Sequence, residues 1–284
     1  LPDPVIDPAQ GASPEDYFVP FIYTGNGADR DIDIGMAPDL VWIKRRNQTG
    51  NHMLFDKVRG ANKVIYSHLT AAEETLTDRV NSFNSDGWTT GNEDANVSGH
   101  TYVAWNWKAN GSGVSNTDGS ITSTVSANTT SGFSICTFTG TGATSETVGH
   151  GLNSTPELVI AKRRDNVSDW FVYSKEFPDA SYYMYLNSTA AQAVYNPFWN
   201  STAPTSSVFT IGSIFGSGGT YLAYCFHSVE GFSKFGSYVG NGSTDGPFVY
   251  TGFRPAFVMI KRTSTAGANW YMTDDARYDT NRGY

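Results

Sequence analysis

The chain has 284 residues, with Lys+Arg 19 against Asp+Glu 27 and a formal net charge of −8. That length suffices for two ordinary domains, and the acidic balance offers no field to hold a nucleic-acid backbone. Gly 29, Tyr 16, Phe 17 and Trp 7 beside only 16% charged residues favour strands joined by turns over long surface helices, so an all-β protein is expected.

In chain order, the Pro-rich start "LPDPVIDPAQGASPEDY" reads either as an extended arm over residues 1–16 that docks on a neighbouring subunit or as a disordered tail. It has neither the basic start nor the apolar core of a signal peptide, and no apolar run approaches the roughly 20 residues of a membrane span, so membrane insertion is not expected. A first module over 17–110 opens with an aromatic strand that ends in the turn "YTGNG" (Tyr23–Gly27). In "DRDID", Asp29, Asp31 and Asp33 alternate and offer three carboxylates to one face, a weak candidate for a bound calcium ion or simply an exposed edge. After Pro38, "LVWIK" is almost wholly apolar, as a strand covered on both faces is. "LTAAEETLTDRV" (Leu69–Val80) has Thr70 and Glu73 in the form of a capping box and predicts a short helix or turn. "YVAWNWK" (Tyr102–Lys108) alternates, and its large set, Val103, Trp105 and Trp107, is assigned to the sandwich core. The Gly/Ser/Asn/Thr-rich stretch 111–131 reads as a linker whose centre, "SITSTVSA", is also able to pair as an edge strand. A second module follows over 132–230 and a partial third over 231–284.

The division rests on repetition. "PDLVWIKRRN" (Pro38–Asn47) returns as "PELVIAKRRD" (Pro156–Asp165) and "PAFVMIKRTS" (Pro255–Ser264). "HMLFD", "WFVYS" and "WYMTD" follow them in the same order, "YSHLTAAEE" (Tyr66–Glu74) matches "YLNSTAAQA" (Tyr185–Ala193), and "YVAWNWK" matches "YLAYCFH" (Tyr221–His227). Several motifs in one order at similar spacing are the mark of duplication. The expectation is a tandem array of β-sandwich modules of jelly-roll or concanavalin-like form. The third copy holds only its first strands, so the chain either continues beyond Tyr284 or completes that copy against another chain.

The chemistry-bearing residues are sparse. No phosphate-cradling loop, zinc motif, nucleophile elbow or paired carboxylate site stands in the sequence, and the reading is a protein that is not an enzyme and needs no cofactor. Lys44-Arg45, Lys162-Arg163 and Lys261-Arg262 are the most regular polar feature. They suit either a repeated anion or sugar-acid site, or strand ends whose lysine stems cover neighbouring aromatics, the second being preferred because every copy must satisfy one fold. Trp88, Trp199 and Tyr195, at turns, are candidates for stacking on sugar rings. Cys136 and Cys225 fall in the first and last strands of one repeat and read as free thiols, with a bridge between neighbouring strands as the alternative.

The motifs "PDLVWIKRR", "HMLFDKVRGANK", "SFNSDGWTTG" and "GFSKFGSYVGNGSTDGPFVYTGFRPAFVMIKR" together resemble a family of repeat-containing virion proteins of tailed bacteriophages. The likeness covers nearly the whole chain after about Tyr17. It implies a fibre or other virion surface protein, made in the host cytoplasm, that contacts other virion proteins and copies of itself and attaches to host-surface glycans through its modules. A purely structural spacer or capsid-decoration protein is the alternative it leaves open, and a polysaccharide depolymerase is a more distant one. The resemblance transfers no catalytic residue.

Overall fold

The computed structural model describes residues 12–277. The protein is all-β, built of several antiparallel sheets. No helix among the described residues is long and apolar enough to cross a membrane.

The first nine strands are β1 (Phe18–Thr24), β2 (Arg30–Asp33), β3 (Leu40–Arg45), β4 (His52–Asp56), β5 (Lys63–Tyr66), β6 (Glu74–Thr75), β7 (Val80–Phe83), β8 (Gly87–Thr90) and β9 (Thr101–Trp107). Six of them form a sheet in the order β1-β9-β3-β4-β5-β6, and the others form a second sheet, β2-β8-β7. Strand alternation sends Val41, Ile43, Met53, Phe55, Tyr102 and Ala104 toward Ile32, Val80 and Trp88 of the smaller sheet, and these residues make one sandwich core.

The next ten are β10 (Val114–Asn116), β11 (Ser123–Asn128), β12 (Phe133–Thr139), β13 (Glu146–Gly149), β14 (Leu158–Arg163), β15 (Trp170–Ser174), β16 (Tyr182–Tyr185), β17 (Ala193–Val194), β18 (Val208–Ile211) and β19 (Thr220–Phe226). Their large sheet runs β10-β11-β12-β19-β14-β15-β16-β17, with β13-β18 as the covering pair. From β12 onward its lateral order is that of the first sheet, strand for strand. The last two strands, β20 (Phe257–Ile260) and β21 (Tyr271–Asp274), pair only with each other.

A further core lies between the large sheets. Leu40, Trp42, Leu54, Val103 and Trp105 of the first sheet meet Ile135, Ile160, Trp170, Val172 and Tyr224 of the second, and Phe257, Met259, Trp270 and Met272 of the third hairpin pack against them. This corrects the expected role of the large alternating set. Val103 and Trp105 face the junction between sheets, while the smaller set, Tyr102 and Ala104, fills the sandwich. Alternation separates two faces but does not say which one meets which neighbour.

Three more expectations change. The stretch 111–131 is not a free linker: β10 and β11 add to the second sheet through β12, and Ser123, Val125 and Ser126 are buried. Leu69–Val80 is not helical, because its backbone and the Glu73 carboxylate bond to the second module instead of to a helical turn. Of the proposed arm, residues 1–11 lie outside the described residues, and Pro14–Asp16 form a single 3₁₀ turn.

Cys136 and Cys225 do sit on neighbouring strands, with Ala223 opposite the first and Ser134 opposite the second, and both are free and buried. His150 is buried with both ring nitrogens engaged: Nε2 lies 3.2 Å from the Thr205 carbonyl, and Nδ1 accepts the Leu152 N–H at 3.2 Å. That pair of bonds needs a neutral ring, and burial lowers its pKa to about 4. His52 is pushed down to about 3, by burial first and then by Lys44, His68 and Arg277. Below the ordinary value of 6.5 the unfolded chain takes up these protons and the folded chain does not, so stability falls as pH drops from about 6.5 toward 4. Urea midpoints measured from pH 7.5 to 5 are expected to decline, and less steeply in His150→Gln; a flat profile would contradict this account.

Candidate functional site

The most elaborated polar region lies along the seams where the three modules meet. At the first seam the strand-end hairpin of module two docks on the segment after β5. Ser168 N–H donates to the Thr70 carbonyl at 2.9 Å, and Glu73 N–H donates to the Arg164 carbonyl at 2.7 Å. The second seam repeats this with matching residues, Gly267 N–H to Thr189 at 2.9 Å and Gln192 N–H to Thr263 at 3.0 Å. The indoles of the aromatic strand follow the same rule. Trp170 Nε1 donates to the Tyr66 carbonyl at 2.8 Å, and Trp270 Nε1 donates to the Tyr185 carbonyl at 3.1 Å.

The seams also bury charge. Asp56 accepts the Arg59 backbone N–H at 2.9 Å, Arg59 Nε at 2.5 Å, and the Tyr224 hydroxyl of module two at 2.9 Å. Arg59 also reaches Glu73 at 3.1 Å and the Leu54 carbonyl at 3.1 Å, and Arg164 forks onto Glu73 at 2.9 and 3.0 Å. Burial opposes the charge on Arg59, yet Asp56, Tyr224 and Glu73 hold its pKa above the ordinary value. Burial likewise opposes ionisation of Glu73, but Arg164 and Arg59 keep its carboxyl below the usual range.

Module three repeats the motif. Asp274 accepts Arg277 Nε at 2.6 Å and Trp105 Nε1 of module one at 2.8 Å, and the Arg277 guanidinium lies 5.3 Å from the Trp105 ring centre. Trp105 and Tyr224 occupy the same place in "YVAWNWK" and "YLAYCFH". Each module therefore touches both others. Sequence reasoning missed this network, although its signal was present: "DKVR" (Asp56–Arg59) and "DDAR" (Asp274–Arg277) follow matched strands, and module two has Ser174 and Phe177 in those places.

The three lysines of the repeated Lys-Arg motif are engaged by backbone carbonyls. Lys44 Nζ donates to Arg45 at 3.1 Å and Gly50 at 3.0 Å; Lys162 donates to Arg163 at 2.8 Å and Thr70 at 3.3 Å; Lys261 donates to Ser188 at 3.3 Å and to Ala268. Lys162 is fully buried, and burial lowers its pKa to about 8. Arg45 and Arg163 lie over the rings of Tyr102 and Tyr221 at 5.8 and 5.9 Å, beside Asp94 and Asp165, while Arg262 donates to the Thr265 and Ala266 carbonyls.

Trp88 and Trp199, read as candidates for surface stacking, are buried in the cores of modules one and two and present no ring to a ligand. Nearby residues such as Asp86 and Ser201 are exposed, while the two indoles lie among core side chains. Asp31 accepts the Thr89 hydroxyl at 2.5 Å, and Asp29 bonds to Asn81 at 3.3 Å. Among the described residues no group of three His, Cys, Asp or Glu side chains is placed to hold a metal ion.

A family model described as "Domain of unknown function (DUF7483)" matches residues 13–283, which span all three modules. The chain belongs to the DUF7483 family. No curated protein and no solved structure matches it. In this DUF7483 chain Lys162, Lys261, Asp56 and Asp274 take partners across the seams, whereas Lys44, Arg45, Arg163 and Arg262 take theirs within their own modules.

Proposed function

We propose that this DUF7483 protein is a structural component of a tailed-phage virion, acting through polypeptide contacts as a fibre segment, spacer or decoration rather than as an enzyme. The observation that supports it is the bonding of Lys162, Asp56 and Asp274 to groups of a neighbouring module, which suits a rigid building element. The resemblance to repeat-containing virion proteins supplies the setting.

Attachment to host glycans is the second reading. The aromatics that favour it are Tyr238, Phe248 and Tyr250, all exposed, in place of the buried Trp88 and Trp199. Immuno-electron microscopy of particles from a phage that carries the gene tests the first reading. Label on the head or tail is the expected result, and its absence from purified particles sinks the proposal. Glycan arrays probed with multimeric protein separate attachment from a spacer role.

A further inference from the structure

The chain holds three Asn-Gly pairs, Asn26-Gly27, Asn110-Gly111 and Asn241-Gly242, and all three asparagines are exposed. An asparagine followed by glycine is set up for a reaction of its own, because no Cβ on the second residue crowds the approach of its backbone nitrogen to the side-chain carboxamide. Whether the two groups meet depends on how firmly each is held. At the first pair both are held. Asn26 Oδ1 accepts the Ala28 N–H at 3.1 Å and Asn96 Nδ2 at 2.8 Å, the Asn26 N–H donates to Asn96 Oδ1 at 3.2 Å, and the Gly27 N–H donates to the Asn96 carbonyl at 2.8 Å. Asn241 occupies the matching turn of the third repeat, and its Oδ1 accepts the Ser243 N–H at 3.0 Å.

Asn110-Gly111 stands outside the repeated motifs, in the connection from β9 to β10 that leads from module one into module two. The chain is anchored on the upstream side of this pair. The Ala109 N–H donates to Asp39 Oδ2 at 2.8 Å, the Ala109 carbonyl accepts Asn128 Nδ2 at 3.3 Å, and the Asn110 N–H donates to Ser126 Oγ at 2.8 Å. Beyond that anchor, among the described residues, nothing bonds to the Asn110 carboxamide or to the Gly111 N–H. Gly111 has a φ of 77°, and a Cβ at that position would meet no atom within 4 Å. The nitrogen that attacks and the carbonyl it attacks are therefore adjacent, unoccupied and surrounded by open space.

We propose that Asn110 is a site of spontaneous covalent modification in the native protein, converting to aspartate and isoaspartate through a cyclic imide. The Gly111 nitrogen gives its proton to water or a buffer base and bonds to Asn110 Cγ. The bond from Cγ to the side-chain nitrogen breaks, and that nitrogen takes up a proton and leaves as ammonia. Water then adds to either carbonyl of the ring: opening at one restores the main chain with aspartate, and opening at the other routes the main chain through the side-chain carbon as isoaspartate. No oxidant, cofactor or second protein takes part. The product places a carboxylate where a neutral amide stood, in the connection between modules one and two and directly after the Asp39 anchor. The modification is independent of a virion location and of glycan attachment.

The test holds the whole purified chain in mildly alkaline buffer, samples it over time and maps its peptides by mass spectrometry, with isoaspartate and aspartate separated by chromatography. Conversion at Asn110 is expected to lead. Asn26 is expected to lag at least about tenfold, because its reaction waits on a local opening that breaks the bonds on its carboxamide and on the Gly27 N–H. In urea sufficient to unfold the chain the two pairs offer the same reacting residues, so their rates are expected to converge, which assigns the native difference to the fold. Asn110→Gln is expected to lose the conversion at that position and to leave Asn26 as it was. An intact Asn110 in the native chain, conversion at Asn26 or Asn241 that keeps pace with it, or an Asn110 lead of the same size in urea overturns the proposal. So does aspartate without isoaspartate, since the imide would then not be the route.

Discussion

Asp56→Ala is expected to destabilise the folded chain by about 3–5 kcal/mol, because it leaves a buried guanidinium without its main counter-charge. Arg59 has a side chain wholly removed from water, and Asp56 supplies two of its contacts and also accepts the Tyr224 hydroxyl across the seam. Glu73 remains on Nη1, but it is shared with Arg164. The measurement is a urea or guanidinium melt of the single variant against the parent chain. Module two suggests the control, since there the same places hold Ser174 and the buried Phe177. The double variant Asp56→Ser with Arg59→Phe is therefore expected to recover much of the loss, as apolar replacements of buried ion pairs often do. A single variant within about 0.5 kcal/mol of the parent, the range of ordinary surface substitutions, would show that the pair does not hold the seam.

Trp105→Ala is expected to cost about 3–5 kcal/mol through the cavity it leaves. Its effect is also expected to be local in a diagnostic way. Trp105 is buried, packs at 5.9 Å from Trp42 and 5.8 Å from Phe257, and donates to Asp274. The third hairpin is bonded to module two through Gln192–Thr263, Gly267–Thr189 and Trp270–Tyr185, while its hold on module one depends on that indole and its neighbours. Limited proteolysis of Trp105→Ala should cut first within residues 257–274, whereas the parent should resist there. Trp105→Phe, which keeps most of the ring and removes the donor, is expected to fall between the two. Cleavage that begins in the first sandwich instead would place the role of Trp105 inside its own module.

Much of the architecture was legible in the residues. The all-β class followed from composition. Regular alternation in "YVAWNWK" marked a strand, but the reading of a single core-facing set missed that both of its faces are covered. The candidate site was less legible. Trp88 and Trp199 carry the same turn-like surroundings as a surface aromatic, and only the packing shows their indoles inside. The stretch 69–80 has good helix-cap chemistry, but the preference is a fraction of the free energy available from Glu73 and its partners in another module.

Local patterning thus determined the all-β class and many of the strands and turns, because those depend on residues near in sequence. Which face of each sheet meets its own sandwich and which meets another module was decided only in three dimensions. So was the joining of Asp56 to Tyr224, 168 residues apart, and of Trp105 to Asp274, 169 apart. A side chain's alternation is fixed by its strand, but its partner is set by how whole sheets pack, and burial then gives isolated polar residues such as Asp56 and Lys162 their roles.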